Sequence, residues 1–200
     1  MVWSYYLWRL PYKFIWYLKK RTDSLTQLAI YCANPLDYVV LQPVLKYLAN
    51  FTIVVKDQKT AEFLRNKGIK YQYWPVFPRV VIMCRHAAHR FPEEQIIKIG
   101  FRHGPYYFKA WANPTYYRMF DLFFLTSFRE VEYAQRIGLN NVKAIGFPKL
   151  DPAFNGNYNQ EFLEQLANKI GLDKRKKTII FTTTWDNSGM SAIDKWINKV

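Results

Sequence analysis

Apolar and polar positions alternate along most of the chain in blocks that predict strands separated by helices. Short apolar runs predict strands near residues 27–32, 51–56, 79–84, 96–101 and 121–126. Shorter strands are predicted within 71–78 and at the start of 141–151. Amphipathic stretches predict helices near 36–48, 58–67 and 129–137. Regular alternation of strands and helices indicates a parallel sheet covered by helices on both faces, so the predicted fold is a Rossmann-like α/β domain.

The first 21 residues have a different pattern. Their apolar residues recur at helical spacing, and Pro11 predicts a break into two short helices. The segment holds eight aromatic and five basic residues without an acid, which favours binding at the water–lipid interface of an anionic membrane. The alternative is a helix packed on the domain behind it. Arg9 and Lys13 interrupt any apolar run long enough to cross a bilayer.

Four regions are predicted along the chain. Residues 1–25 form the interfacial helices, and residues 26–151 form the Rossmann-like domain. Residues 152–177 hold a Gly- and Asn-containing linker and a helix near 160–170. A buried strand at 178–185 and a helix still running at Val200 predict that 178–200 begin a second, incomplete α/β domain.

The charge balance indicates an anionic partner. Lys and Arg outnumber Asp and Glu by 29 to 15, and the net charge is +14. A membrane surface, a phosphorylated substrate or nucleic acid would fit this charge. The chain has no nucleic-acid-binding motif, and outside the first 21 residues its basic side chains are scattered, so nucleic acid is not the expected partner. Cys32 and Cys84 end apolar runs and are predicted to be reduced core thiols in a cytoplasmic protein.

The strongest candidate for chemistry lies where the strand at 96–101 delivers Arg102, His103 and Gly104 to a loop, with Lys109 following. Imidazole accepts a proton near neutral pH, and arginine and lysine bind phosphate oxygens. Glycine allows a ligand to approach the backbone. The alternative is a loop histidine that is bonded only to a carbonyl group.

Two further loops are candidates for anion binding. Ser127 and Glu130 form a predicted capping box whose helix end could bind an anion, although capping alone accounts for both residues. The turn that carries Lys149 and Asp151 follows another short strand. Either loop could contribute to a site at the edge of the sheet.

The sequence excludes several classes of cofactor site. The spacing of Cys84, His86 and His89 matches no closed zinc site, and their neighbours are cationic. The chain has no Gly-rich dinucleotide loop, phosphate loop or serine nucleophile elbow. We therefore expect no metal and no cofactor, and we assign no chemistry to His86 or His89.

The order and spacing of four segments resemble the CDP-glycerol glycerophosphotransferase family. The segments are RHGPYYFK, FDLFFLTSFREVEYA, IGFPKLDPAF and IIFTTTWDNSG, and the resemblance runs from about Val54 to the end. Members of this family build teichoic-acid-like and capsular glycerol-phosphate polymers and have a two-domain GT-B fold. The resemblance implies that this chain is the first domain of such a transferase together with the start of the second.

The resemblance also implies roles for individual residues. His103, in the family's His-Gly pair with Gly104, would be the base on the acceptor hydroxyl. Arg102 and Lys109 would neutralise the phosphate. The family's Gly-x-Pro-Arg-x-Asp turn falls on residues 146–151, with Lys149 in place of arginine and Asp151 at its end.

The start of the second domain departs from the family pattern. The Pro-Thr-Trp-Arg turn falls on residues 183–186, where Trp185 and nearby Ser188 complete the predicted substrate-binding set, but the proline and the arginine are absent. This departure predicts a divergent branch with a different donor or acceptor. The family's donor site lies mostly beyond residue 200, so the chain is expected to be part of a longer enzyme or a truncated relative.

The implied partners are a CDP-linked donor, a phosphorylated polymer or lipid-linked acceptor, and an anionic membrane surface on the cytoplasmic side of the cell membrane. Two alternatives stay open. One is a GT-B glycosyltransferase that uses a sugar nucleotide, since fold does not fix the donor. The other is a non-catalytic basic module that binds a membrane or a polyanion.

Overall fold

The structure, a computed structural model, describes residues 3–84, 86–104, 114–173 and 175–178, with side chains from Leu7 onward. Its centre is a parallel sheet in the order β3-β2-β1-β4-β5-β6-β7. The strands are β1 (Thr26–Cys32), β2 (Phe51–Val55), β3 (Gln72–Tyr73), β4 (Pro78–Met83), β5 (Ile97–Phe101), β6 (Leu122–Leu125) and β7 (Val142–Ala144). The predicted Rossmann-like α/β fold is confirmed.

Helices connect the strands and flank the sheet. They are α1 (Trp3–Arg21), α2 (Pro35–Leu45), α3 (Gln58–Arg65), α4 (Phe128–Arg136), α5 (Asp151–Phe154) and α6 (Gln160–Lys169). Three of them, α2, α3 and α4, begin three residues after a strand ends. Each has an N-cap side chain that accepts a backbone N–H group of the first turn; these caps are Asn34, Asp57 and Ser127. These caps fix the loops at the carboxyl edge of the sheet.

The two faces of the sheet bury different side chains, because neighbouring residues of a strand point to opposite faces. We call one the aromatic face; its core includes Tyr12, Trp16, Tyr31, Phe91, Tyr117, Phe120 and Phe123. We call the other the aliphatic face; its core includes Ile30, Cys32, Val40, Leu41, Ile53, Val55, Leu64 and Ile82. Cys32 and Cys84 are buried and outside any disulfide, so the prediction of core thiols is confirmed. Burial raises the pKa of the Cys32 thiol.

The prediction of two short helices at the start of the chain is wrong. Helix α1 continues through Pro11, although proline cannot donate the backbone hydrogen bond to the turn before it. Contacts on both sides of the proline hold the helix to residues 74–78. Before it, the Trp8 ring packs on the Trp74 ring, with 5.6 Å between the ring centroids. The Tyr12 hydroxyl donates to the Val76 carbonyl at 2.7 Å, and the Trp16 indole donates to the Pro78 carbonyl at 2.8 Å. One face of α1 is therefore part of the core, as the packing alternative proposed.

The chain divides into two compact units, residues 1–155 and 156–200. Helix α1 belongs to the first unit together with the sheet, and α6 belongs to the second. The predicted strand at 178–185 and the helix after it lie outside the described residues, apart from Thr178. Of the helices that the structure describes, none combines the length and apolarity that a membrane span requires.

Candidate active site

The candidate site lies at the carboxyl edge of the sheet, beside the place where the strand order reverses. Strands β1 and β4 are neighbours there, and their connections leave in opposite directions along the sheet. Ligands of open parallel sheets bind in the crevice formed at such a point. The loops after β4 and β5 bring His86, Arg102 and His103 to this edge.

His103 is half-buried and is fixed by the end of the neighbouring strand. Its Nδ1 lies 3.2 Å from the carbonyl oxygen of Cys84, which directly follows β4. A carbonyl can only accept, so Nδ1 carries the proton and the acceptor nitrogen of the neutral ring is Nε2. The carbonyl contact that the sequence offered as an alternative is thus present, and it also sets the tautomer that a general base requires.

Arg102 lies inside the protein and is held by α4. Its guanidinium forms an ion pair with Glu130 at 3.4 Å, and the exposed fractions of the two side chains are 10% and 5%. Nη1 donates to the Tyr117 hydroxyl at 3.4 Å, and the guanidinium carbon lies 5.8 Å from the centre of that ring. These contacts fix the charge close to His103. Direct contact of Arg102 with a phosphate stays a prediction.

Glu130 and Ser127 organise the loop after β6. The Ser127 hydroxyl accepts the Glu130 amide at 3.2 Å and caps α4, as predicted. Glu130 accepts from the Thr126 amide at 2.8 Å and from the Thr126 hydroxyl, whereas the predicted capping box has it accept from Ser127. The other oxygen of the same carboxylate pairs with Arg102.

His86 is the residue of this site that sequence reasoning missed. Its ring packs edge-on against the Tyr117 ring, with 4.6 Å between the ring centroids, and stacks with the Phe123 ring at a centroid distance of 6.3 Å. Its Nδ1 is buried and has no hydrogen-bond partner among the described residues. Burial, together with the positive charges of Arg102 and His103, lowers the pKa of His86 to about 4. The ring is therefore neutral at neutral pH. Its position three residues after the end of β4 is the only signal in the sequence.

The remaining predicted site residues are at several places. Gly104 is buried beside His103, while Lys149 and Asp151 are exposed. The turn formed by residues 148–150 packs against α2. The chain after β7 therefore returns toward the β1 side of the sheet. Lys109, Trp185 and Ser188 lie outside the described residues. Their roles stay predictions.

The described residues contain no group of three or more His, Cys, Asp or Glu side chains that could hold a metal ion. The Cys84 thiol instead lies 3.8 Å from the Asp37 carbonyl oxygen, within the aliphatic face. Comparison of the chain with family models, curated proteins and solved structures finds no match.

Proposed function

We propose that the domain is the acceptor-binding half of a transferase that moves glycerol phosphate from CDP-glycerol to a phosphorylated polymer or lipid-linked acceptor in cell-envelope synthesis. The observation that carries this proposal is the geometry of His103. Strand β5 delivers the imidazole to the carboxyl edge, and the Cys84 carbonyl leaves Nε2 as its basic nitrogen. The sequence resemblance supplies the identity of donor and acceptor.

In the proposed reaction, His103 Nε2 removes the proton from the acceptor hydroxyl as its oxygen attacks the phosphorus next to glycerol. A new phosphorus–oxygen bond forms to the acceptor, the bond to the oxygen of CMP breaks, and CMP leaves with that electron pair. The proton stays on His103 until the product departs. Positioned cations stabilise the negative charge that spreads over the phosphoryl oxygens.

The neighbours of His103 suit this chemistry. Arg102 supplies a guanidinium group whose position is set by Glu130 and Tyr117 and whose charge Glu130 partly compensates. His86, being neutral, adds no second proton donor that would compete at neutral pH. Lys149 and Lys109 are the further cations that we propose for the phosphate.

The test is release of CMP from CDP-glycerol in the presence of a glycerol-phosphate primer on a lipid carrier. His103→Ala is expected to lower turnover by about a hundredfold while donor affinity changes little, as for loss of a general base. His89→Ala is the matched control, since His89 is exposed on the 88–90 turn. A His103→Ala protein with a normal melting temperature and normal turnover would contradict the assignment.

The donor is tested in the same assay. UDP-sugars offered in place of CDP-glycerol would be consumed if the domain belonged to a sugar-nucleotide glycosyltransferase. If the wild-type protein consumes a UDP-sugar and His103→Ala does not, His103 stays the proposed base and CDP-glycerol is rejected as the donor. No turnover of either donor, with folded protein, would reject the enzymatic proposal and favour a binding module.

A separate observation favours binding to a membrane surface. Helix α1 packs only one side on the domain, and its opposite side exposes Leu7, Leu10, Phe14, Tyr17 and Leu18, with exposed fractions between 47% and 75%. A contiguous apolar stripe of this kind is a mark of an interaction surface. We propose that it inserts into the interfacial region of an anionic bilayer, which would place the enzyme on the cytoplasmic face beside a lipid-linked acceptor.

The charges of α1 are consistent with this orientation. Arg9 and Lys13 both pair with Glu94 of the domain, at 3.5 and 3.0 Å, so they hold the helix in place. Arg21 is exposed at the end of the helix, in register with the apolar stripe at Phe14 and Leu18. It is the cation best placed to meet anionic headgroups.

Co-sedimentation with vesicles of anionic phosphatidylglycerol tests this surface. The double substitution Leu10→Ser with Phe14→Ser should weaken binding at least about tenfold, because it removes apolar surface that would transfer from water into the bilayer. Tyr47→Ser is the matched control, since Tyr47 is 76% exposed on another part of the same unit. Equal binding by all three proteins would reject α1 as the membrane surface.

A further inference from the structure

A groove of about 760 Å³ opens on the aliphatic face, at the opposite edge of the sheet from His103. It lies between the end of α2, the start of β2 and the chain after α3. Its apolar lining consists of Tyr38, Leu45, Phe51, Ile53, Ile69 and Tyr71. The volume is within the range of small-molecule sites, which are also mostly apolar with a few polar groups.

The polar groups of the groove are basic or neutral. Lys46 and Lys70 line it, both with exposed side chains, and no acidic residue is among its described lining residues. Lys46 lies at the carboxyl end of α2, where its ammonium is 4.9 Å from the centre of the Tyr47 ring. A ligand that fits this lining combines an apolar body with a negative end.

We propose that this groove binds a single-chain anionic lipid, with its alkyl chain against the apolar lining and its headgroup held by Lys46 and Lys70. The chain buries its methylene groups in a preformed trough, and the two ammonium groups offset the headgroup charge. The proposal is independent of the chemistry at His103.

The experiment is calorimetric titration of the whole chain with dodecanoate below its critical micelle concentration, with dodecyl glucoside as the neutral ligand of equal chain length. Saturable one-to-one binding is expected. Lys46→Gln with Lys70→Gln should weaken dodecanoate binding about tenfold, the effect of losing charged contacts to the headgroup, and should leave dodecyl glucoside unchanged. Lys59→Gln, on α3 and outside the groove, is the matched control.

A second variant tests the trough itself. Gln42 lies on the exposed side of α2 and lines the groove, so Gln42→Trp should fill it and abolish binding of both ligands without loss of fold. Glu62→Trp, exposed on α3 and outside the groove, should bind normally. Octanoate should bind about a hundredfold more weakly than dodecanoate, because four methylene groups no longer leave water.

Three outcomes would overturn the proposal. Equal binding of the charged and neutral ligands would remove the role of the lysines. Normal binding by Gln42→Trp, or loss of binding in Leu10→Ser with Phe14→Ser, would move the ligand to α1. Dodecyl phosphate separates the two lipid sources: tighter binding than dodecanoate supports a lipid phosphate, and weaker binding supports a fatty acid.

Discussion

The aromatic and aliphatic faces of the sheet stabilise the same strands by different means. On the aliphatic face, α2 and α3 place mostly aliphatic side chains against β1, β2 and β4, and packing of apolar surface accounts for the contact. On the aromatic face, α1 contributes large rings that carry polar atoms. The buried indole nitrogen of Trp8 has no hydrogen-bond partner among the described residues, whereas two other rings of the helix do have partners. Tyr12 and Trp16 find theirs on the backbone carbonyls of residues 76 and 78.

This difference bears on where polar chemistry can be placed. The Arg102–Glu130 ion pair and the His86 ring lie beside Tyr117 and Phe123, on the aromatic side of the core. Ring edges, a phenol oxygen and an arginine over a ring give buried charge more favourable contacts than methyl groups do. Among the described residues, the core of the aliphatic face buries fewer rings, Tyr38 and Phe101. The groove with Lys46 and Lys70 lies at the edge of this face.

The largest expected effect comes from breaking the buried pair on the aromatic side. Glu130→Ala removes the partner of Arg102 and the acceptor for Thr126, and it should lower the free energy of unfolding by about 3 kcal/mol, since an uncompensated buried charge remains. Urea unfolding measures this. Glu132→Ala, exposed on the same helix, should change stability by less than about 0.5 kcal/mol. Equal effects of the two substitutions would show that the pair does not stabilise the fold.

A somewhat smaller effect is expected where β5 and β6 meet. A methyl group on Gly100 would lie 2.2 Å from Cδ2 of Phe123, so Gly100→Ala should cost about 2 to 3 kcal/mol through overpacking. Ile53→Val on the aliphatic face should cost only about 1 kcal/mol, because its cavity is small. Phe123→Leu combined with Gly100→Ala should recover part of the loss. No recovery would mean that another contact opposes the methyl group.

The sequence predicts the repeating part of this fold well. Every strand predicted in the Rossmann-like domain is present within a few residues. The inner strands are found because parallel strands buried on both faces are continuous apolar runs, whereas β3 is exposed at the edge of the sheet. The prediction of a break at Pro11 is wrong because tertiary contacts hold α1 together. Trp8 packs 5.6 Å from Trp74, and Tyr12 and Trp16 bond farther along the same segment, so contacts distant in sequence outweigh the missing backbone hydrogen bond.

The candidate site is predictable only in part. His103 is found from its place after a strand and before a glycine. The pairing of Arg102 with Glu130 depends on β5 and β6 being neighbours, and the contact of His86 with Tyr117 depends on the 114–119 turn folding over the sheet edge. Neither pairing has a local sequence signal, so both require the structure.

Acidification should lower the free energy of unfolding through protonation of His86, which packs on the aromatic face. Burial beside Arg102 and His103 lowers its pKa to about 4, so below the ordinary value of 6.5 the unfolded chain binds a proton that the folded chain does not. Stability should therefore fall as the pH decreases from about 6.5 to 4, by about 2 kcal/mol after allowance for partial exposure. His86→Phe keeps the ring contacts and should remove this part of the pH dependence. An identical pH profile in wild type and variant would show that His86 does not titrate in this way.

The smallest effect concerns the polar ends of the α1 rings. Tyr12→Phe keeps the ring and removes the hydroxyl that bonds the Val76 carbonyl at 2.7 Å, leaving that buried acceptor unpaired at a cost of about 1 kcal/mol. The Tyr17 hydroxyl accepts from Gln95 at 2.9 Å but is exposed, so water replaces it and Tyr17→Phe should be neutral. Urea unfolding of the two variants separates them. A neutral Tyr12→Phe would mean that ring packing alone fixes α1, and the contrast between the two faces would then rest on the Arg102–Glu130 pair.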